Sequence, residues 1–262
     1  RDLHLVPHSF PTRRSSDLPY KVQAWDKIPD TAKDADGAYY ADYTGIMSVG
    51  WNADKYGDIS SLDDLLDPKF AGTVALNGKP AEAGAAFNGY LMANQLAGGD
   101  INNLQPGLDY FKKLKEAGNL TTVDVTNGTI DSGQTGVVFD WTYNQASYKK
   151  ELKDKGVNWK YKTFPKAQVV SYYNQAINKD APHPAAARLW EEYLYTADAQ
   201  NLWFKGGANP VLLDSMKEDG TVDQATLKDA ITIEGEPVSY TNDDSTRITE
   251  WLQNNWDKTI GN

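Results

Sequence analysis

Apolar residues along this chain recur with two periods, and the changes of period divide it into strands and helices. Val169 to Ile177 reads as a buried strand, ended by Ala181-Pro182-His183-Pro184. Proline has no N–H for a sheet ladder, yet it fits the first turn of a helix. In the helix that follows, Ala186, Leu189, Trp190, Tyr193 and Leu194 form one apolar face at helical spacing, and Arg188, Glu191 and Glu192 are expected to face solvent. A second helix, Ala197 to Lys205, stops at Gly206-Gly207.

Earlier in the chain, Tyr39, Tyr40, Tyr43 and Gly45 to Trp51 read as strands, with Asn52 to Tyr56 as loop. Ser60 or Ser61 caps a short helix through Leu62, Leu65 and Leu66 that Asp67-Pro68 closes. Thr73 to Leu76 and Val137 to Phe139 are short buried strands, and helices are predicted over Ala83 to Leu96 and from Pro106 to Gly118. Leu120 to Val125 reads as a strand, Asn127-Gly128 as a turn and Ala146 to Lys155 as an exposed helix. Val157 to Phe164 alternates as a half-buried strand does. A last helix, capped by Asp244 or Ser245, points Ile248, Trp251 and Leu252 inward. Strands alternating with helices imply an α/β fold with mostly parallel sheet.

Composition narrows the chemistry. Twenty-six Lys and Arg stand against 36 Asp and Glu, a net charge of −10. That balance argues against nucleic acid as a partner, because binding it needs a basic footprint. The chain has no Cys, so disulfides, thiolate metal sites and a Cys nucleophile are excluded. No apolar run reaches the ~18 residues that span a bilayer. Residues 1–18 are set aside as non-native, since His8 to Leu18 reads as a translated sequencing adapter, and the segment has no periodic face with which to dock.

Several motifs dissolve under inspection. Gly72 to Pro80 has five residues between its glycines and Pro80 where a phosphate loop needs a hydroxyl. Placing Gly37 at the sixth position of a calcium loop puts Ala32 at the first, where a carboxylate is required. His183 lies between two prolines and reads as structural; Glu191 and Glu192 read as surface charge. Asp140-Trp141-Thr142-Tyr143 is different, because it follows a buried run and sits at the carboxyl end of a strand, where open α/β sheets bind ligands. Ala83 and Gly84 open a helix whose free N–H groups suit an anion or carbonyl. Tyr172 and Tyr173 point to opposite faces of their strand, and Gln175 shares a face with Tyr173.

The stretches "KDAPHPAAARLWEEYLYTADAQNLW", "DYTGIMSVGWN", "SLDDLLDPKFAGTVALNGKPAEAGAAF" and "SGQTGVVFDWTYN" together resemble the extracellular solute-binding proteins of bacterial ABC importers, in their polyamine, iron and phosphonate branch. The resemblance implies two α/β lobes around a ligand cleft, with the chain crossing at Tyr43 to Trp51 and Val169 to Ile177. It assigns 19–56 and 169–262 to a first lobe lacking its opening βα units, and 57–168 to a second. It also implies a monomer outside the cytoplasm, in the periplasm or lipid-anchored to the outer face of the membrane, that works with a permease and its ATPase, without catalysis or cofactor. Tyr43, Ala83, Gly84, Asp140, Trp141, Tyr143, Tyr173 and Gln175 are the expected ligand contacts, with Asp140 as counter-charge for an amine-bearing solute. Trp141 and Tyr143 stand where the iron-binding branch has a tyrosine pair, so ferric iron is disfavoured. Tyr173 or Asn174 replaces the acid of polyamine-binding relatives. A ligand-sensing domain of a regulator and a carbohydrate-active hydrolase using Asp140 remain as alternatives.

Overall fold

A computed structural model describes residues 17–233, 237, 238 and 240–261. Its strands are β1 (Asp17–Leu18), β2 (Tyr40–Asn52), β3 (Val74–Leu76), β4 (Val137–Trp141), β5 (Trp159–Lys162), β6 (Val170–Gln175), β7 (Ile177–Asn178) and β8 (Asn209–Pro210). The helices are α1 (Ala53–Tyr56), α2 (Gly84–Leu96), α3 (Gln105–Glu116), α4 (Asn127–Asp131), α5 (Thr142–Lys153), α6 (Pro184–Leu194), α7 (Ala197–Lys205), α8 (Leu213–Glu218), α9 (Gln224–Asp229) and α10 (Asn242–Thr259). Residues 47–170 and 233–261 form one unit, and residues 17–46 and 171–232 the other. The first division falls inside β2, after Ile46, rather than near residue 56 as expected; the second falls at the start of β6, after Val170, close to the expected residue 168.

In the first unit β3 and β4 pair in parallel, Val74 opposite Val137 and Leu76 opposite Phe139. Residues 47–51 of β2 run antiparallel to β4, and Val49 to Asn52 run antiparallel to β5. The expectation of a mostly parallel sheet is therefore corrected: β2 is long enough to serve as a common antiparallel partner. β4 is buried on both faces, which explains its unbroken apolar run and makes Asp140 the exception in it. Around this sheet Tyr90, Phe111, Phe139, Leu114 and Met92 form the core. Helix α10 joins it through Ile248, Leu252 and Trp256, with the Trp256 ring 5.3 Å from that of Phe111. The C-terminal helix thus belongs with 47–170, not with 169–232 as the sequence reading had placed it.

Local signals account for most boundaries. Gly118, at φ 74°, ends α3 with the Asn119 N–H donating back to the Leu114 carbonyl. Thr241 and Asp244 close a reciprocal capping box on α10, so the helix begins earlier than expected. Three short segments differ from the sequence reading. Asn52 caps a single helical turn at α1, Thr126 caps α4 where a turn was expected, and Leu120 makes only an isolated bridge to Val74 instead of a strand. Helix α5 starts directly at Thr142, four residues ahead of the expected Ala146.

In the second unit, Val22, Ile28, Tyr40, Tyr195, Phe204, Val211 and Met216 make a separate core. Here α6 departs from the expected orientation, although Leu194 is buried as expected. Leu189 and Trp190 are 72% and 57% exposed, whereas Glu191 is 3% exposed. Glu191 accepts a short hydrogen bond from the Tyr40 phenol, and Glu192 accepts from the Tyr20 phenol at 2.6 Å and from the Gln23 N–H. Glu191 is therefore a buried acceptor and Glu192 a half-buried one, and neither is free surface charge. Asp17 and Leu18, set aside with residues 1–16, pair with Asn178 and Ile177 and are part of the fold; residues 1–16 lie outside the described residues.

Candidate functional site

In the first unit the site residues grow from the end of β4. The Asp140 carboxylate is 0% exposed and holds four donors. Its Oδ1 accepts from the Trp141 N–H at 2.8 Å and from the Asn144 amide at 2.9 Å. Oδ2 accepts from the Asn77 amide at 2.8 Å and from the Tyr148 phenol at 2.9 Å. The Ser48 hydroxyl adds a bond from β2 to the Asp140 carbonyl at 2.6 Å. Burial pushes the Asp140 pKa up, opposed by these same donors. A carboxylate offers about four acceptor positions, and all four are engaged. Asp140 therefore ties the end of β3 to β4 and to α5, and leaves no acceptor for the solute amine that the sequence reading assigned to it.

Trp141, buried, and Tyr143, half-buried, stack with ring centres 6.4 Å apart and planes 16° from parallel. The pair is brought together as expected, even though Tyr143 already lies within α5. Ala83 is the N-cap residue of α2, and its side chain supplies no cap; Gly84 is exposed. The loop leading there depends on Gly78, at φ 101°, where an added Cβ would lie 2.5 Å from that of Ala83. Asn88, one turn into α2, donates to the Gly84 carbonyl and accepts from the Tyr240 phenol, both at 2.8 Å.

The second unit brings the remaining expected residues together. Tyr43 on β2 stacks against Tyr173 on β6, with centres 4.7 Å apart and planes at 11°. Its other neighbour is Trp203 on α7, at 4.3 Å and 27°. Trp203 escaped sequence reasoning because it looked like one more apolar position of a short helix. Tyr172 instead packs into the core of this unit, as the alternation of a strand requires. Gln175 donates to Asp42 Oδ2 at 2.9 Å. Asp42, also missed, is 0% exposed, and burial pushes its pKa up to about 6 against the opposing pull of the Gln175 amide and nearby backbone N–H groups. Only its position beside Tyr43 could have signalled it.

Comparison with known proteins agrees with this architecture. The putative extracellular solute-binding protein from Bordetella parapertussis has a TM-score of 0.71 at 14% identity, covering 95% of this chain and 77% of the other. The periplasmic binding protein AfuA from Actinobacillus pleuropneumoniae, solved with fructose-6-phosphate, gives 0.65 at 19% identity, over 94% and 76%. The spermidine/putrescine substrate-binding protein PotD from Streptococcus pneumoniae gives 0.67 at 13% identity, over 95% and 80%. No curated protein sequence matches the chain. The family model of bacterial extracellular solute-binding proteins matches residues 17–230, which supports the transport reading over the regulator and hydrolase alternatives, and this chain belongs to that family.

Proposed function

We propose that the chain captures a small polar solute outside the cytoplasm and hands it to a membrane permease driven by an ATPase. The family is one of transport proteins, and the solved structures similar in fold include binders of a sugar phosphate and of polyamines. The observation that carries the reading within this chain is the stacked array of Tyr173, Tyr43 and Trp203, three rings gathered from β6, β2 and α7. Aromatic faces combine large contact area with few rotatable bonds, which suits capture of a small organic solute. Trp141 and Tyr143 form a second such surface, and the open helix start at Gly84 offers N–H donors.

Calorimetric titration of the 262-residue chain against amines, sugar phosphates, phosphonates and ferric chelates tests the reading. Tyr43→Ala and Trp141→Ala each weaken binding by about 1 to 3 kcal/mol, the scale of removing an aromatic from a buried contact. Unchanged affinity in Tyr43→Ala, for whichever solute binds, would remove the array of the second unit from the reading, and unchanged affinity in Trp141→Ala the ring pair of the first.

A further inference from the structure

Among the described residues of the second unit, three buried acceptors have no hydrogen-bond donor: Asp17 Oδ2, Asp42 Oδ1 and Asn209 Oδ1. The last two belong to residues 0% and 3% exposed. They lie close together by register. Thr44 stands opposite Asn209 in the antiparallel β2–β8 pair, so their side chains share a face. Asp42 is two residues from Thr44 and shares it too, which makes Asp42 and Asn209 diagonal cross-strand neighbours about 7 Å apart. Native folds seldom leave a buried acceptor uncompensated, and a pair on one face is harder to dismiss than one alone.

Two buried donors of the same unit, Arg188 Nε and Trp203 Nε1, are likewise without a partner, so neither reaches these oxygens. Asn209 uses its amide N–H on the Ile231 carbonyl, and Gln200 on α7 directs its amide to the carbonyls of Asp42 and Leu194. Gln175 on β6 already serves Asp42 Oδ2. The titratable groups that feel Asp42 are the phenols of Tyr43 and Tyr195, both of which it pushes up, and among the described residues no Lys or Arg forms an ion pair with it. A positively charged group with more than one N–H would satisfy both oxygens, and the neighbour of Asp42 on β2 is the stacked Tyr43.

We infer that Asp42 and Asn209 form a subsite for the primary ammonium group of the solute, with Asp42 as its counter-charge in place of Asp140. This rests on the solute-binding reading above and narrows it to amine-bearing solutes. A carboxyl whose pKa is raised to about 6 is poised to lose its proton when a cation arrives, so binding releases a proton at slightly acid pH.

The test is calorimetry of the full chain with 1,4-diaminobutane and with 1,4-butanediol, its uncharged counterpart, at pH 5.5 in buffers of different ionisation enthalpy. The chain binds the diamine in preference to the diol and releases a proton as it does so. Asp42→Asn and Asn209→Ala each lower diamine affinity on the order of 10- to 100-fold, the scale of a lost charge-assisted hydrogen bond. Proton release is read on the unaltered chain, so the inference stays testable even if a variant fails to fold. Diamine affinity unchanged in both variants, or binding without proton release, overturns the subsite. If the chain takes sugar phosphates or ferric chelates but no amine, the subsite is wrong and the solute-binding reading stands. If it takes none of them, both are wrong.

Discussion

The phenol of Tyr40 donates to the carboxylate of Glu191, joining β2 to α6 across 151 positions of sequence and holding a 3% exposed glutamate inside the second unit. Tyr40 in turn lies edge-on to Trp25 at 5.4 Å and beside Tyr195 at 5.1 Å. The bond sets which side of α6 turns inward, because an ionisable group enters a core only with a partner waiting.

Tyr40→Phe keeps the ring and removes the donor. It is expected to destabilise the chain by about 1 to 3 kcal/mol, the cost of an unsatisfied buried acceptor. Urea unfolding at pH 7 measures it, and a change below a few tenths would mean that the bond does not set the helix orientation.

The complementary experiment addresses the outward face. Leu189→Ser and Trp190→Ser are expected to alter stability by no more than about 0.5 kcal/mol, as exposed positions do. If either costs several times that amount, α6 packs the other way round.

Asp42 and Glu191 both have pKa values raised, first of all by burial. A raised carboxyl pKa contributes stability that is complete below the unfolded value and is lost as pH rises through the folded one. For Asp42 the window runs from 3.8 to about 6, and the loss amounts to at most roughly 3 kcal/mol. Asp64, Asp223 and Asp244, held low by hydrogen bonds and, for the last two, by the cations Lys205 and Arg247, act below that window and with the opposite sign. Thermal unfolding of the ligand-free chain from pH 4 to 7 should therefore show falling stability, and Asp42→Asn should flatten the slope. Stability that rises over this range counts against a buried, protonated Asp42.

Asp140→Asn places an N–H₂ group against donors that now share a carboxylate. Roughly 1 to 3 kcal/mol of stability is lost, since Asn77, Asn144, Tyr148 and the Trp141 N–H compete for one remaining oxygen. Differential scanning calorimetry of the ligand-free variant reads this directly. A variant as stable as the parent would show that the four bonds are not structural.

Gly78→Ala forces a side chain into a positive-φ position and within 2.5 Å of the Ala83 Cβ. A loss of about 1 to 3 kcal/mol is expected. Hydrogen exchange should locate it at the first turn of α2, and uniform protection there would show that the loop tolerates the methyl group.

What the sequence determined by itself is local. Helices α2 and α3, strands β3 and β4 and the glycine stop at Gly118 follow from periodicity and from residue types whose backbone preferences act over a few positions. The nearness of Trp141 to Tyr143 was legible for the same reason. Tertiary structure decided what depends on partners far along the chain. Periodicity showed that α6 has two faces but not which one is buried, since that choice belongs to Tyr20 and Tyr40, more than 150 positions away. The same holds for the antiparallel pairing of β2, the placement of α10 in the first core and the meeting of Tyr43 with Trp203. Asp140 and Asp42 show it most plainly. Both are buried acids, and the donors that engage both oxygens of Asp140 but only one of Asp42 come from separate strands and helices whose meeting depends on register and packing.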